Sequence, residues 1–311
     1  MWDLVGHELA DRALDAAGAA GAEYADCRVV RREVESLHVK NGRVAQVAVD
    51  DDEGFGVRVI VNGAWGFAGS QRADAAGIAE AVDLAVSIAR ASGRLMGEPV
   101  RLAAAPVVQG SYRTPLRIDP FKVPLEDRVG VLMAADLAMA RVAGVTVREA
   151  SMECVREQRH FANSEGSRLD QTIIETGAGL DATATEAGEV QTRSYPNSFG
   201  RQQLCAGWEV VEEMDLPGNA ERTAAEAVAL LSADPCPSGL MTVILDSTQA
   251  AMQVHESCGH PTELDRVLGT EAAYAGTSFM TPDLLGTLRY GSDQVTITAD
   301  ATSATGLGSF G

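Results

Sequence analysis

Asn-Gly occurs twice in the first quarter of the chain, each time between runs of β-prone residues. The first is Val39-Lys-Asn41-Gly42-Arg-Val44 and the second Val59-Ile-Val61-Asn62-Gly63-Ala-Trp65. A tight hairpin of the right twist needs positive φ at both central residues, which Asn and Gly tolerate best. Two consecutive hairpins predict an antiparallel sheet over about 23–69. Helical spacing flanks it on both sides. Residues 3–19 place Leu4, Leu9, Ala10, Leu14 and Ala17 together, and 74–93 return to helical spacing with Ala79, Val82, Leu84, Ala85, Ile88 and Ala89.

Five of the eleven prolines then fall at 99, 106, 115, 120 and 124. Proline fixes φ and lacks an amide donor, so about 96–124 is expected to be an extended connector. A second unit of the same order follows. It has a helix over 125–142, a strand-rich stretch over about 144–210 with a turn at Asn163–Gly166, and a helix over 218–232. No residue-level repeat accompanies this shared order. Pro235-Cys-Pro237-Ser-Gly239 marks a further boundary. The expected organisation is an N-terminal domain over 1–234 and the incomplete beginning of a C-terminal domain over 235–311. The fold class is α+β (α/β): antiparallel sheet flanked by helices, then the start of a mostly-β domain. In that last part Met241–Leu245 reads as a short buried strand. Asp246 reads as a helix N-cap, with Gln249 as its capping-box partner.

Charge narrows the function. Against 25 Lys and Arg stand 44 Asp and Glu, a formal net charge of −19. Such a surface repels phosphates, which disfavours direct nucleic-acid binding and anionic membranes. The longest apolar stretch, Val129–Val145, is interrupted by Asp136 and Arg141 and does not read as a membrane span. No basic region precedes an apolar one at the N-terminus. The five scattered cysteines, at 27, 154, 205, 236 and 258, read as reduced thiols, so the expected compartment is the cytoplasm.

The helix expected from about 247 carries Val254-His255-Glu256-Ser257-Cys258-Gly259-His260-Pro261-Thr262-Glu263-Leu264-Asp265-Arg266. Two neutral imidazoles can ligate Zn²⁺, and a glutamate beside the first can take a proton from an activated water. In the usual zinc-peptidase spacing the histidines stand four apart, about 40° around a helix. Here they stand five apart, about 140° on a regular helix. They can share a metal only if the chain bends or overwinds between them. Gly259 and Pro261 bracket His260 and supply the means. The same pair can equally be structural histidines. Cys258 reads as a buried inert thiol more readily than as a ligand or nucleophile. Glu263 and Asp265 either hold an imidazole tautomer or pair with Arg266.

The phrase His255-Glu-Ser-Cys-Gly-His-Pro-Thr-Glu-Leu-Asp265 resembles the TldD/PmbA family of metallopeptidases. So do Gly21-Ala-Glu-Tyr-Ala-Asp26, Glu35-Ser-Leu37, Asn41-Gly-Arg43, Glu53-Gly-Phe-Gly-Val-Arg-Val59, Trp65-Gly-Phe67 and Arg289-Tyr-Gly-Ser-Asp293. The resemblance implies a zinc peptidase of the TldD-like, catalytic side, acting on unfolded or partly unfolded peptides. His255 and His260 would be metal ligands and Glu256 the general base. It implies a dimer, with a PmbA/TldE-like partner subunit or with a second copy. Some members carry a historical label as modulators of DNA gyrase. The family's third ligand is a cysteine far downstream, whereas this chain stops at Gly311 and so reads as C-terminally truncated. The alternative reading is a non-catalytic peptide-binding or partner subunit, or an inactive fragment. Tyr274 and Tyr290 are candidate oxyanion donors.

Weaker patterns remain. Gly306-x-Gly308-x-x-Gly311 fits a dinucleotide fingerprint but lacks the helix that must follow it. Asp50-Asp-Asp-Glu53 reads as a solvated turn rather than a calcium loop. His7, His38 and His160 read as separate solvent-facing residues. Neither a P-loop nor a GxSxG elbow is found.

Overall fold

A computed structural model of the chain describes residues 6–95 and 97–308. Residues 6–231 and 301–308 belong to one compact unit, and residues 232–300 to a second.

Among the described residues the first unit is a single sheet of 8 strands with helices, antiparallel apart from one parallel pairing. Helix α1 (Gly6–Ala19) leads into β1 (Tyr24–Lys40), β2 (Arg43–Val61) and β3 (Ala64–Ser70), and α2 (Ala75–Ser92) follows. Residues 3–5 of the expected first helix lie outside the described residues. Both Asn-Gly turns form as expected, with Asn41 and Gly42 at φ 47 and 75 and Asn62 and Gly63 at 52 and 72.

The second half has α3 (Leu125–Met139), β5 (Val145–Asn163), β6 (Arg168–Glu186), β7 (Glu189–Tyr195), β8 (Gln202–Leu204), α4 (Glu209–Met214) and α5 (Leu216–Leu230). The connector is less bare than its prolines suggest. Gln109–Arg113 forms β4, which pairs in parallel with β6. That pairing depends on a partner far along the chain, so local composition does not announce it. Asp50–Glu53 sits within β2 rather than in a turn, and Asp51 pairs with Arg31 at 2.6 Å.

The two halves join through β1 and β5, which run antiparallel from Asp26↔Asn163 to Lys40↔Glu149. Along β1 the buried residues Cys27, Val29, Leu37 and Val39 share one parity and hence one face. The first two belong to a core with α1 and α2, the last two to a core with α3, α4 and α5. Helices thus cover one face of the sheet in two groups. Between the groups the same face turns polar. Glu35 pairs with the buried Arg128, and Glu33 and Asp119 both pair with Arg156. Close helix-on-sheet packing is built from small residues. A Cβ on Gly66 of β3 would lie 1.9 Å from the Ala85 carbonyl oxygen of α2, so only glycine fits there.

The second unit contains α6 (Ser247–Val254), one wide π turn over His255–Gly259, short 3₁₀ turns and α7 (Leu264–Leu268). No strand occurs among the described residues of 232–300. Met241–Leu245, expected as a buried strand, is exposed and has no ladder partner there. A strand is defined by its neighbour, and apolar content alone cannot supply one.

Candidate metal centre

Asp246 caps α6 as its sequence predicts: its Oδ1 accepts the amide of Gln249 at 2.9 Å. The helix runs regularly to Val254 and then widens. The amide of His260 donates to the carbonyl of His255, five residues back. This is a π turn, a form concentrated at functional sites. The expected distortion therefore occurs between the two histidines, but by widening rather than overwinding. The extra residue in the turn absorbs the five-residue spacing and returns His260 beneath His255.

The two imidazole centroids stand 4.5 Å apart with their planes at 78°. Ligand atoms of His255, Glu256 and His260 all lie within 4.8 Å of one another. His255 and Glu256 are exposed and His260 is partly so, which leaves the cluster open to water. Two imidazoles with one carboxylate are a donor set that borderline divalent cations favour. The convergence of the three side chains fits such an ion.

Glu263 completes the arrangement around His260. Its Oε1 lies 2.7 Å from His260 Nδ1, and its Oε2 lies 2.6 Å from Arg266 Nε. A carboxylate that accepts from Nδ1 fixes the ring and leaves Nε2 as the nitrogen available to a ligand. The bond to His260, together with the charge of Arg266, holds the Glu263 carboxyl below its usual range. Of the two carboxylates flagged beside the motif, Glu263 touches the histidine and Arg266 alike. Asp265 instead accepts the amide of Arg266 at 2.8 Å and contacts neither imidazole.

Cys258 lies in the π turn but outside the His–Glu–His convergence. All five cysteines are free. The Tyr290 hydroxyl donates to the Ser257 carbonyl at 2.7 Å, and its ring stacks on Phe279. Tyr274 is 94% exposed. Beside the π turn is a cavity of about 680 Å³ lined by Val254, Cys258, Met280, Leu288, Tyr290 and Ile297, among others.

A second cluster escaped the sequence reading. His7 and His160 do not stand alone in solvent: their imidazoles meet at 5.5 Å, with Asp170 between them. His38 lies 3.6 Å from Glu149. Of the fingerprint glycines, Gly306 donates its amide to the Ser303 carbonyl, Gly308 lies in a turn, and Gly311 lies outside the described residues. No helix among the described residues is long and apolar enough to cross a membrane.

Comparison with known proteins places these features. Residues 25–89 match the family model described as PmbA/TldA metallopeptidase domain 1. Residues 118–231 match that of the PmbA/TldA metallopeptidase central domain. A metalloprotease of Methanothermobacter thermautotrophicus is 29% identical over 256 residues, covering 82% of this chain and 53% of that protein. A metalloprotease of Methanocaldococcus jannaschii is 27% identical over 293 residues, covering 93% of this chain and 60% of that protein. The chain thus spans between half and three fifths of the length of these curated relatives. The crystal structure of TldE from Thermococcus kodakarensis superposes with a TM-score of 0.53 at 15% identity, over 70% of this chain and 47% of that one, a likeness of fold.

Proposed function

The chain belongs to the PmbA/TldD metallopeptidase family, and on that premise we propose that it carries the metal-binding half of a zinc peptidase site acting on unfolded peptides. The observation that carries this reading is the π turn that sets His255 and His260 4.5 Å apart with Glu256 beside them. His255 and His260 would hold the cation. Zinc, when bound, supplies Lewis acidity toward a scissile carbonyl and toward a water molecule. Glu256 accepts the proton of that water and passes it to the leaving amine. Glu263 keeps His260 in the ligating tautomer from behind. The exposure of the cluster suits a substrate that enters as an extended chain, recognised through its main chain.

The reading includes a partner, a TldE-like chain or a second copy. The fold shared with TldE supports kinship between the two kinds of subunit.

Metal content and hydrolysis of an unstructured peptide test the assignment together. Glu256→Gln is expected to retain zinc and lose hydrolysis by at least about a hundredfold, the ordinary worth of a general base. His260→Ala is expected to lose both. Unaltered hydrolysis in Glu256→Gln removes that residue as the base, and loss of zinc in the same variant makes it a ligand instead.

A further inference from the structure

We propose that His7, His160 and Asp170 form a second metal site, in the sheet unit, for a divalent cation of the zinc class. The three residues come from three different elements. His7 lies in the first turn of α1, while His160 of β5 and Asp170 of β6 are direct cross-strand partners. Both imidazoles aim at the same carboxylate oxygen: His7 Nε2 lies 3.0 Å and His160 Nδ1 2.5 Å from Asp170 Oδ1. A single atom is the focus of two rings whose planes cross at 74°.

The spacing suits a small cation. Zinc holds nitrogen and oxygen ligands at about 2.0–2.2 Å, which separates tetrahedral donors by roughly 3.3 Å. Opening the shorter contact by less than about 1 Å admits the ion. The chain supplies no competing cation to Asp170 from its neighbour on the strand, because Arg168 is engaged by Asp11 at 2.5 Å. Among the described residues the ion-pair partners of Asp170 are these two imidazoles, and one carboxylate with two imidazoles is a combination that selects zinc-like metals over magnesium or calcium.

The backbone is shaped around the same point. Gly6 takes φ +59, and a Cβ there would lie 3.4 Å from three atoms of the His160 ring. Glycine at this position lets the chain cross close over the imidazole and turn into α1. The side chains are 30%, 37% and 46% exposed, so an ion can enter and water can complete its shell. A metal here ties the start of α1 to the β5–β6 hairpin. Its role is to clamp a helix to the sheet, separate from peptide hydrolysis.

The test uses the chain carrying His255→Ala and His260→Ala, so that failure of this site and failure of the peptidase reading are told apart. Zinc titration by calorimetry, with cobalt absorption as a second readout, is expected to show one equivalent bound and a rise in thermal midpoint on adding zinc. Adding Asp170→Asn is expected to weaken that binding at least tenfold. His7→Ala, at the solvent-facing start of α1, gives the same readout should Asp170→Asn not fold. The proposal is overturned if the double variant binds no zinc. It is equally overturned if binding survives loss of Asp170 or His7, and the trio is then an ion-paired hydrogen-bond cluster.

Discussion

His260 and Glu263 are joined by a 2.7 Å contact between Nδ1 and Oε1, one turn apart on a distorted stretch of helix. The contact decides which ring nitrogen is available to a ligand, because a carboxylate that accepts from Nδ1 fixes the proton there. Arg266 in turn steadies the carboxylate from the other side. Glu263→Ala is expected to weaken zinc binding at the His255/His260 pair by about 10–100-fold, the usual effect of removing such a support. Competition with a chromophoric chelator measures it, in a background lacking Asp170 so that a single site is read. Unchanged affinity in that variant would show that the ring is oriented without Glu263.

The local half of this site was open to sequence reasoning and the distant half was not. Asp246 and Gln249 announce the helix, and a five-residue His spacing demands a distortion. Whether the helix widens or tightens is not encoded in the spacing, and the His260 amide bonding back to His255 resolves it as widening. In the same way Asn41-Gly42 and Asn62-Gly63 announce their hairpins through backbone preferences that act within four residues. His7, His160 and Asp170 become neighbours only after α1, β5 and β6 have assembled. No periodicity connects residues 153 positions apart, which is the separation of His7 and His160. β4 hides behind its prolines for the same reason, since its partner β6 lies far along the chain.

The β6–β7 hairpin breaks the pattern of the two earlier ones in a way that can be measured. Ala187 holds φ 50 and is followed by Gly188 at φ 91, the positions that Asn and Gly occupy in the other turns. An L-residue with a Cβ is strained in the left-handed region by roughly 1–2 kcal/mol, and Asn tolerates it better. Ala187 is exposed, so its replacement disturbs no packing. Ala187→Asn is expected to raise unfolding free energy by about 0.5–1 kcal/mol in a urea titration. A neutral or negative change would show that the turn relieves its strain in another way.

The cysteines divide by burial, and their reactivity should follow. Burial pushes the Cys27 thiol up to about 12 and the Cys154 thiol up to about 11. At about pH 8 roughly one molecule in ten thousand and one in a thousand then carries the thiolate, the reactive form. Cys236 is exposed and Cys258 partly so. Iodoacetamide is expected to label Cys236 first and Cys258 next in the folded protein, and Cys27 and Cys154 only after denaturation. Peptide mapping of the alkylated protein gives the order. Early labelling of Cys27 would mean that the α1–β1 core opens under native conditions.

Glu209 is a buried carboxylate whose work is to hold the connector against α4. It accepts the amides of Arg117 and Ile118, each at 3.0 Å, and that of Gly207 at 3.1 Å. Burial alone would raise its pKa, but these amide bonds outweigh burial and hold the carboxyl below its usual range. A group depressed in the folded state stabilises most above its unfolded pKa of about 4.3 and loses that contribution as pH falls through the folded value. Glu209→Ala strands several amides and is expected to cost on the order of 3 kcal/mol at neutral pH. Glu209→Gln removes the charge with little change of shape. The stability gap between it and the parent should shrink as pH is lowered from neutrality to below about 4, because protonation makes the parent resemble the variant. Denaturant unfolding across that range reads the gap directly. A gap that stays constant with pH would mean that the amides respond to the shape of the side chain and not to its charge.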